Sequence, residues 1–192
     1  MNENHQALCS SVEWRSHLEK DILLPLAGEI ELGEEMLELG PGFGAATEWL
    51  SQQVARLTAM EMDAATAESL KRRFASSNVS VLIGDAGDTG LPSGSVDSVA
   101  TFTMLHHIAT SDGQFKVLAE AFRLLRPGGV LIGSDSLASS DLHQFHAGDV
   151  YNPIDPARLL IALQISGFQP VALRVAHEMT FIAHKPKSSQ RS

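Results

Sequence analysis

The chain has 192 residues, enough for one domain with a buried core and too few for two of ordinary size. Hydrophobic residues make up 44% of it and the charges are scattered, which marks a globular chain rather than a disordered one. The formal net charge of −9 argues against broad contact with nucleic acid or anionic lipid, both of which call for clustered Lys and Arg.

Residues 1–34 read as an N-terminal helical cap, because Leu8, Val12, Leu18, Ile22, Leu23 and Leu26 recur at helical spacing up to an interruption at Pro25. The first residues lack the basic start and apolar core of a secretory signal, and no segment supplies the roughly 20 apolar residues that cross a bilayer. Cys9 is the only cysteine, so neither an intrachain disulfide nor a paired-cysteine zinc framework can form. A cytoplasmic protein is the expectation.

From residue 35 the pattern changes to short apolar runs separated by helical stretches. Runs at 36–39, 55–60, 79–83, 97–102 and 129–134 read as buried strands. Residues 45–53, 64–75 and 114–125 read as helices, with Asp63 and Asp112 as N-caps. A polar stretch at 135–152 precedes a helix over 155–166 and two strands, 169–175 and 177–184, that can pair as an antiparallel hairpin. Strict alternation predicts an α/β domain over 35–184 with a mostly parallel sheet, followed by a flexible tail at 185–192.

The segment Glu38-Leu39-Gly40-Pro41-Gly42-Phe43-Gly44 leaves the first strand and enters a helix, where absent Cβ atoms let backbone turn sharply and approach a ligand. Its G-x-G-x-G spacing departs from the dinucleotide fingerprint, and neither the Lys nor the Ser/Thr of a P-loop follows. A nucleoside without a pyrophosphate fits better. Glu61 ends the second strand about 20 residues on, where a carboxylate can accept from both hydroxyls of a ribose. Asp85, after the third strand, can accept from the exocyclic amine of an adenine, with the backbone of Ala86 at the ring edge. Three strand ends then share one crevice at the carboxyl side of the sheet.

These motifs resemble those of the class I S-adenosylmethionine-dependent methyltransferases, in particular a small-molecule branch related to quinone-biosynthesis enzymes, over about residues 35–184. Glu38 to Gly44 is similar to that family's first motif, Met60-Glu61-Met62-Asp63 to its ribose segment and Gly84-Asp85-Ala86 to its adenine segment. Leu91-Pro92, Ser95-Val96-Asp97, Leu105-His106-His107 and Leu124 to Gly129 are similar to later motifs, in the same order. The resemblance implies a Rossmann-like, doubly wound, seven-stranded sheet with an antiparallel last strand. It implies S-adenosylmethionine as cofactor, with Glu38, Gly40, Pro41, Gly42 and Gly44 along its methionine part, Met62 on its adenine and Thr103 at its amino group.

Methyl transfer needs chiefly an aligned nucleophile and a dry site, and a base helps when the acceptor carries a proton. His107 and His106, beyond the fourth strand, are the candidates, against the alternative that this pair merely packs in a turn. Asp141, His143, His146 and Asp149 fit no metal template, so no metal is expected and the segment reads as a substrate wall. Trp14 and His17 read as ordinary packing, and Lys71, Arg72 and Arg73 as solvated complements to a helix dipole. The expected function is methylation of a small-molecule acceptor, without nucleic acid or membrane partners. A nucleic-acid or protein methyltransferase, or a catalytically silent cofactor-binding module, are the alternatives.

Overall fold

A computed structural model describes residues 2–188 of the protein, apart from the side chains of residues 3–5. The chain opens with helices α1 (Glu3–Cys9) and α2 (Val12–His17), a π-helical stretch over Leu18–Leu23 and the short α3 (Leu24–Ala27). Pro25 therefore does not stop the helical path. It follows the wider π turn, which accommodates the proline ring and its missing N–H.

Beyond the cap, seven strands and the helices between them form one sheet. They are β1 (Glu35–Leu39), α4 (Ala45–Leu50), β2 (Arg56–Glu61), α5 (Ala64–Arg73), β3 (Val79–Ile83), β4 (Val96–Phe102), α6 (Ser111–Leu124), β5 (Leu125–Ser136), α7 (Ser140–Phe145), α8 (Pro156–Ser166), β6 (Val171–Val175) and β7 (Glu178–His184). The order is β3-β2-β1-β4-β5-β7-β6. Neighbours from β3 to β5 pair in parallel, and β7 runs antiparallel to both β5 and β6. The doubly wound, seven-stranded α/β sheet read from the sequence is the observed one.

Both faces of the sheet are covered, so its central strands carry continuous apolar runs. Successive residues point to opposite faces. Leu37, Val99, Leu131 and Phe181 pack toward α6 and α8 on one side. Met36, Ala100, Ile132 and Ile182 pack on the other with Leu50 and with Leu18, Ile22, Leu23 and Leu26 of the cap. The cap thus shares the main core on that face.

Four expectations change. The 79–83 run forms β3 as expected but is not buried, because the strand order leaves it at an edge with Leu82 and Ile83 exposed. Helix α6 begins at Ser111, and its cap is Thr110, which accepts from the Gly113 amide, rather than Asp112. The polar stretch after β5 contains α7, capped by Ser139. Lys185, assigned to the tail, is tied down instead: its ammonium donates to the carbonyls of Phe122 and Leu125. Residues 189–192 lie outside the described residues.

Candidate active site

The strand order reverses between β1 and β4, and the loops that leave their carboxyl ends diverge there to open a crevice. The glycine loop forms one wall. Its start is fixed by the Gly40 amide donating to the Met60 carbonyl at 3.0 Å, and the Gly44 amide donates to Pro41 at 2.9 Å. Gly40 and Gly42 both have left-handed backbone, at φ 67° and 54°. A Cβ on Gly40 would fall 2.2 Å from Met104 Cγ, whereas one on Gly42 would meet nothing within 4 Å. Gly42 therefore faces open space and leaves backbone exposed to the crevice. Gly44 does not: its Cβ position points at Leu70 of α5 and at Phe74, which caps that helix, and the residue lies outside the cavity lining.

Two carboxylates brace this loop. Glu61 accepts from the Gly42 amide at 3.1 Å through one oxygen and from the Asp63 amide at 2.9 Å through the other. A carboxylate offers about four acceptor sites, so it retains capacity toward the cavity it lines. Glu38 is buried and accepts from the Thr47 hydroxyl at 2.6 Å. Burial, opposed by that hydrogen bond and reinforced by the charge of Glu61, raises its carboxyl from 4.5 to about 7. Arg73 reaches back from α5 to donate to the Phe43 carbonyl at 2.7 Å, so it is not a purely solvated charge.

The opposite wall comes from the ends of β3 and β4. Asp85 accepts from the Gly87 amide at 2.8 Å in a local turn, and Ala86 follows it at the cavity edge. Thr103 has φ 50°, a left-handed conformation that a β-branched residue adopts only under strain. Its amide donates to the Ser134 carbonyl at 2.8 Å. A single turn of 3₁₀ helix over Leu105–His107 comes next. His107 lines the cavity and His106 does not. His106 is buried beneath the turn, with its Nδ1 2.5 Å from the Asp135 carboxylate at the end of β5.

The cavity has a volume of about 1400 Å³. It brings together Glu38, Gly40, Pro41, Gly42, Glu61, Met62, Asp85, Ala86, Thr103 and His107, leaving Gly44 and His106 outside. The N-terminal segment closes one side through Cys9, Trp14 and Leu18. Burial pushes the Cys9 thiol up to about 11, so it is a neutral wall residue. The Asn2 amide donates to Asp149 at 2.8 Å and its side chain to the Phe145 carbonyl at 2.8 Å, joining the start of the chain to the turn after α7. Of the polar cluster at 141–149, only Asp149 lines the cavity. Trp14 also contributes, although its helical spacing alone reads as core packing; the signal lies in where the cap docks.

A doubly wound sheet with a backbone-exposing glycine loop and a carboxylate at the next strand end is a nucleoside-binding arrangement. A family model described as a methyltransferase domain matches residues 37–133, and the chain belongs to that family, the class I S-adenosylmethionine-dependent methyltransferases. It is 28% identical over 144 residues to a protein of Mycolicibacterium smegmatis named a probable S-adenosylmethionine-dependent methyltransferase, covering 71% of this chain and 52% of that one. The chain spans about half the length of the curated relatives it matches over the most residues. A solved S-adenosylmethionine-dependent methyltransferase from Methanosarcina mazei has the same fold, with TM-score 0.72, 13% identity, and coverage of 85% of this chain and 98% of that one. So does the phosphoethanolamine N-methyltransferase 2 of Haemonchus contortus, solved with phosphomonomethylethanolamine and S-adenosylhomocysteine, at TM-score 0.71, 14% identity, and coverage of 91% and 53%. The open approach at Gly42 and the carboxylate of Glu61 beside it fit the family's cofactor, S-adenosylmethionine.

Proposed function

We propose that the protein transfers the methyl group of S-adenosylmethionine to a small-molecule acceptor, releasing S-adenosylhomocysteine. The observation that carries the small-molecule part is the cavity wall. Seven Asp or Glu side chains line it against two cations, Lys116 and Arg123, and the chain's own N-terminal segment closes it. Such a wall repels phosphate backbones and admits a neutral or cationic guest. Trp14, Leu18 and Phe115 give that guest an apolar surface, which suits an acceptor with a hydrophobic body.

In this reading the backbone at Gly40 to Gly42, with Glu38 and Pro41, borders the methionine part of the cofactor. Glu61 accepts from the ribose hydroxyls, Met62, Asp85 and Ala86 hold the adenine, and Thr103 stands at the amino group. The bound cofactor supplies an electrophilic methyl on a sulfonium. The protein orients the acceptor against it and excludes water. His107 faces the acceptor, and His106 supports it from behind.

Calorimetric titration with S-adenosylmethionine, S-adenosylhomocysteine and NAD tests the cofactor assignment. Both sulfur nucleosides should bind, and Glu61→Ala should weaken them about 10- to 100-fold, the loss expected for hydrogen bonds to a charged acceptor. Preference for NAD, or no binding of either sulfur nucleoside, refutes it. Methylation of RNA or protein in place of small acceptors would overturn the substrate class.

A further inference from the structure

Behind the cavity wall, three histidines from distant parts of the chain converge. His106 and His107 sit on the turn after β4, and His146 caps the carboxyl end of α7. One ring nitrogen from each lies within 4.8 Å of those of the other two. The ring centroids are 4.1 Å apart for His106 and His107, 5.1 Å for His106 and His146 and 5.4 Å for His107 and His146.

What these rings touch decides their chemistry. Nδ1 of His106 meets the fully buried Asp135 carboxylate at 2.5 Å, Nδ1 of His146 meets the Leu142 carbonyl at 2.7 Å and Nδ1 of His107 meets the Val150 carbonyl at 3.3 Å. Each partner is an acceptor, so each Nδ1 carries the proton and each Nε2 the lone pair. One shared tautomer, with a carboxylate behind one ring and carbonyls behind the others, is how proteins orient imidazoles as metal ligands. Tyr151 stacks on His146 at 4.4 Å and 16°, fixing the plane of that ring. The two segments are also locked together. Asn152 donates from its backbone to the His106 carbonyl at 2.7 Å and from its side chain to Ile108 at 3.0 Å, and Gln114 bridges the carbonyls of Leu105 and Asn152.

We propose that His106, His107 and His146 form a site for one divalent late transition ion of the zinc class, bound through three Nε2 atoms. Imidazole suits such ions, and three histidines with a fourth position open is the pattern of reactive rather than structural zinc. Tetrahedral coordination at about 2.0–2.1 Å needs ring nitrogens about 3.4 Å apart, so the rings must draw together by up to about 1.4 Å. Of the three, His107 alone lines the cavity, so a fourth ligand coming from its side would be the acceptor. A hydroxyl or thiol of the acceptor bound there loses its proton to solvent more readily. Its lone pair then forms the bond to the methyl carbon as the carbon–sulfur bond of the sulfonium breaks and leaves a neutral thioether. That last step rests on the methyl-transfer reading above; the metal site does not.

The test uses the full chain freed of any polyhistidine tag. Zinc is titrated calorimetrically and cobalt by visible absorption, which is strong only for low-coordinate cobalt. One ion per chain with such absorption is expected. His146→Ala and His107→Ala should each weaken zinc at least about tenfold, and Asp135→Asn about 10- to 100-fold, the range for loss of a partner behind a ligand. S-adenosylhomocysteine affinity of His146→Ala serves as the folding control, and if that variant does not fold, His107→Ala decides. No zinc binding by the unaltered chain, or binding that the folded variants leave undiminished, overturns the proposal. Zinc bound without S-adenosylhomocysteine would keep the site and sink the methyl-transfer reading; the converse result does the opposite.

Discussion

Glu38 occupies the fourth position of β1, with its carboxyl inside the protein and accepting from the Thr47 hydroxyl. In the unfolded chain this group ionises near 4.5, and burial in the fold moves it to about 7. The folded state therefore holds the proton more tightly. Below 4.5 both states are protonated and nothing is lost; as pH rises from there through about 7, stability falls by on the order of 3 kcal/mol. Glu38→Gln keeps an acceptor for Thr47 and removes the ionisation. Its melting temperature should exceed that of the unaltered chain at pH 8 and match it near pH 4, and an equal gap at both values would refute the account. Gly42 and Gly44 separate two uses of one residue type. Gly42→Ala places a methyl in open cavity at φ 54°, so it should cost about 1 kcal/mol of stability and most of the cofactor affinity. Gly44→Ala drives its Cβ to 2.8 Å from Leu70, so thermal melts should show the larger stability loss and calorimetry the smaller affinity loss.

At the scale of elements, α6 is the strut that holds the loop after β3. Glu120 on α6 accepts from the Thr89 amide at 3.0 Å and hydroxyl at 2.5 Å and pairs with Arg123 at 2.7 Å. Arg123 chiefly, with Thr89 and against burial, holds this carboxyl down at about 2. Its contribution is present above the ordinary value of 4.5 and is lost as pH falls toward about 2. Glu120→Gln should lower the urea midpoint at pH 7 by the equivalent of about 1–3 kcal/mol, with the gap narrowing at pH 3. Elements like these are legible in sequence where their signal is contiguous. The 79–83 run matches β3 residue for residue, and Asp63 caps α5 by accepting from Thr66. Exposure of Leu82 and Ile83 is not legible, because it depends on which strands flank β3. The glycine loop, Glu61 and Asp85 are readable as a site because each closes its own strand. The histidine cluster is not, since its members meet only once β5 and α7 have returned the chain to the turn after β4.

The molecule as a whole is held from its amino end. Leu18, Ile22, Leu23 and Leu26 are each 2% exposed or less, and burial of four such side chains contributes on the order of 6–12 kcal/mol. That rivals the net stability of a whole domain, about 5–15 kcal/mol. A variant lacking residues 2–28 should therefore show no cooperative thermal transition. Deleting residues 2–11 spares that core, removes Cys9 from the cavity wall and releases Asp149 from its bond to Asn2, so it should melt near the parent and bind acceptors more weakly. A cooperative melt for the longer deletion would show that the cap is a separable lid. Through these four side chains the amino-terminal segment docks on Met36, Ala100, Ile132 and Ile182 of its own sheet. Among the described residues no helix is long and apolar enough to cross a membrane.

The fit of Met104 against Gly40 has a consequence for how such chains can diverge. Any side chain at position 40 would occupy the space of the Met104 Cγ, 2.2 Å from where its Cβ would stand. A side chain at position 40 therefore requires Met104 to shift or to be replaced by a smaller residue. Met104 also leads directly into the turn that carries His106 and His107. A change in the glycine loop is thus felt in the turn that carries His107, on the other wall of the same cavity.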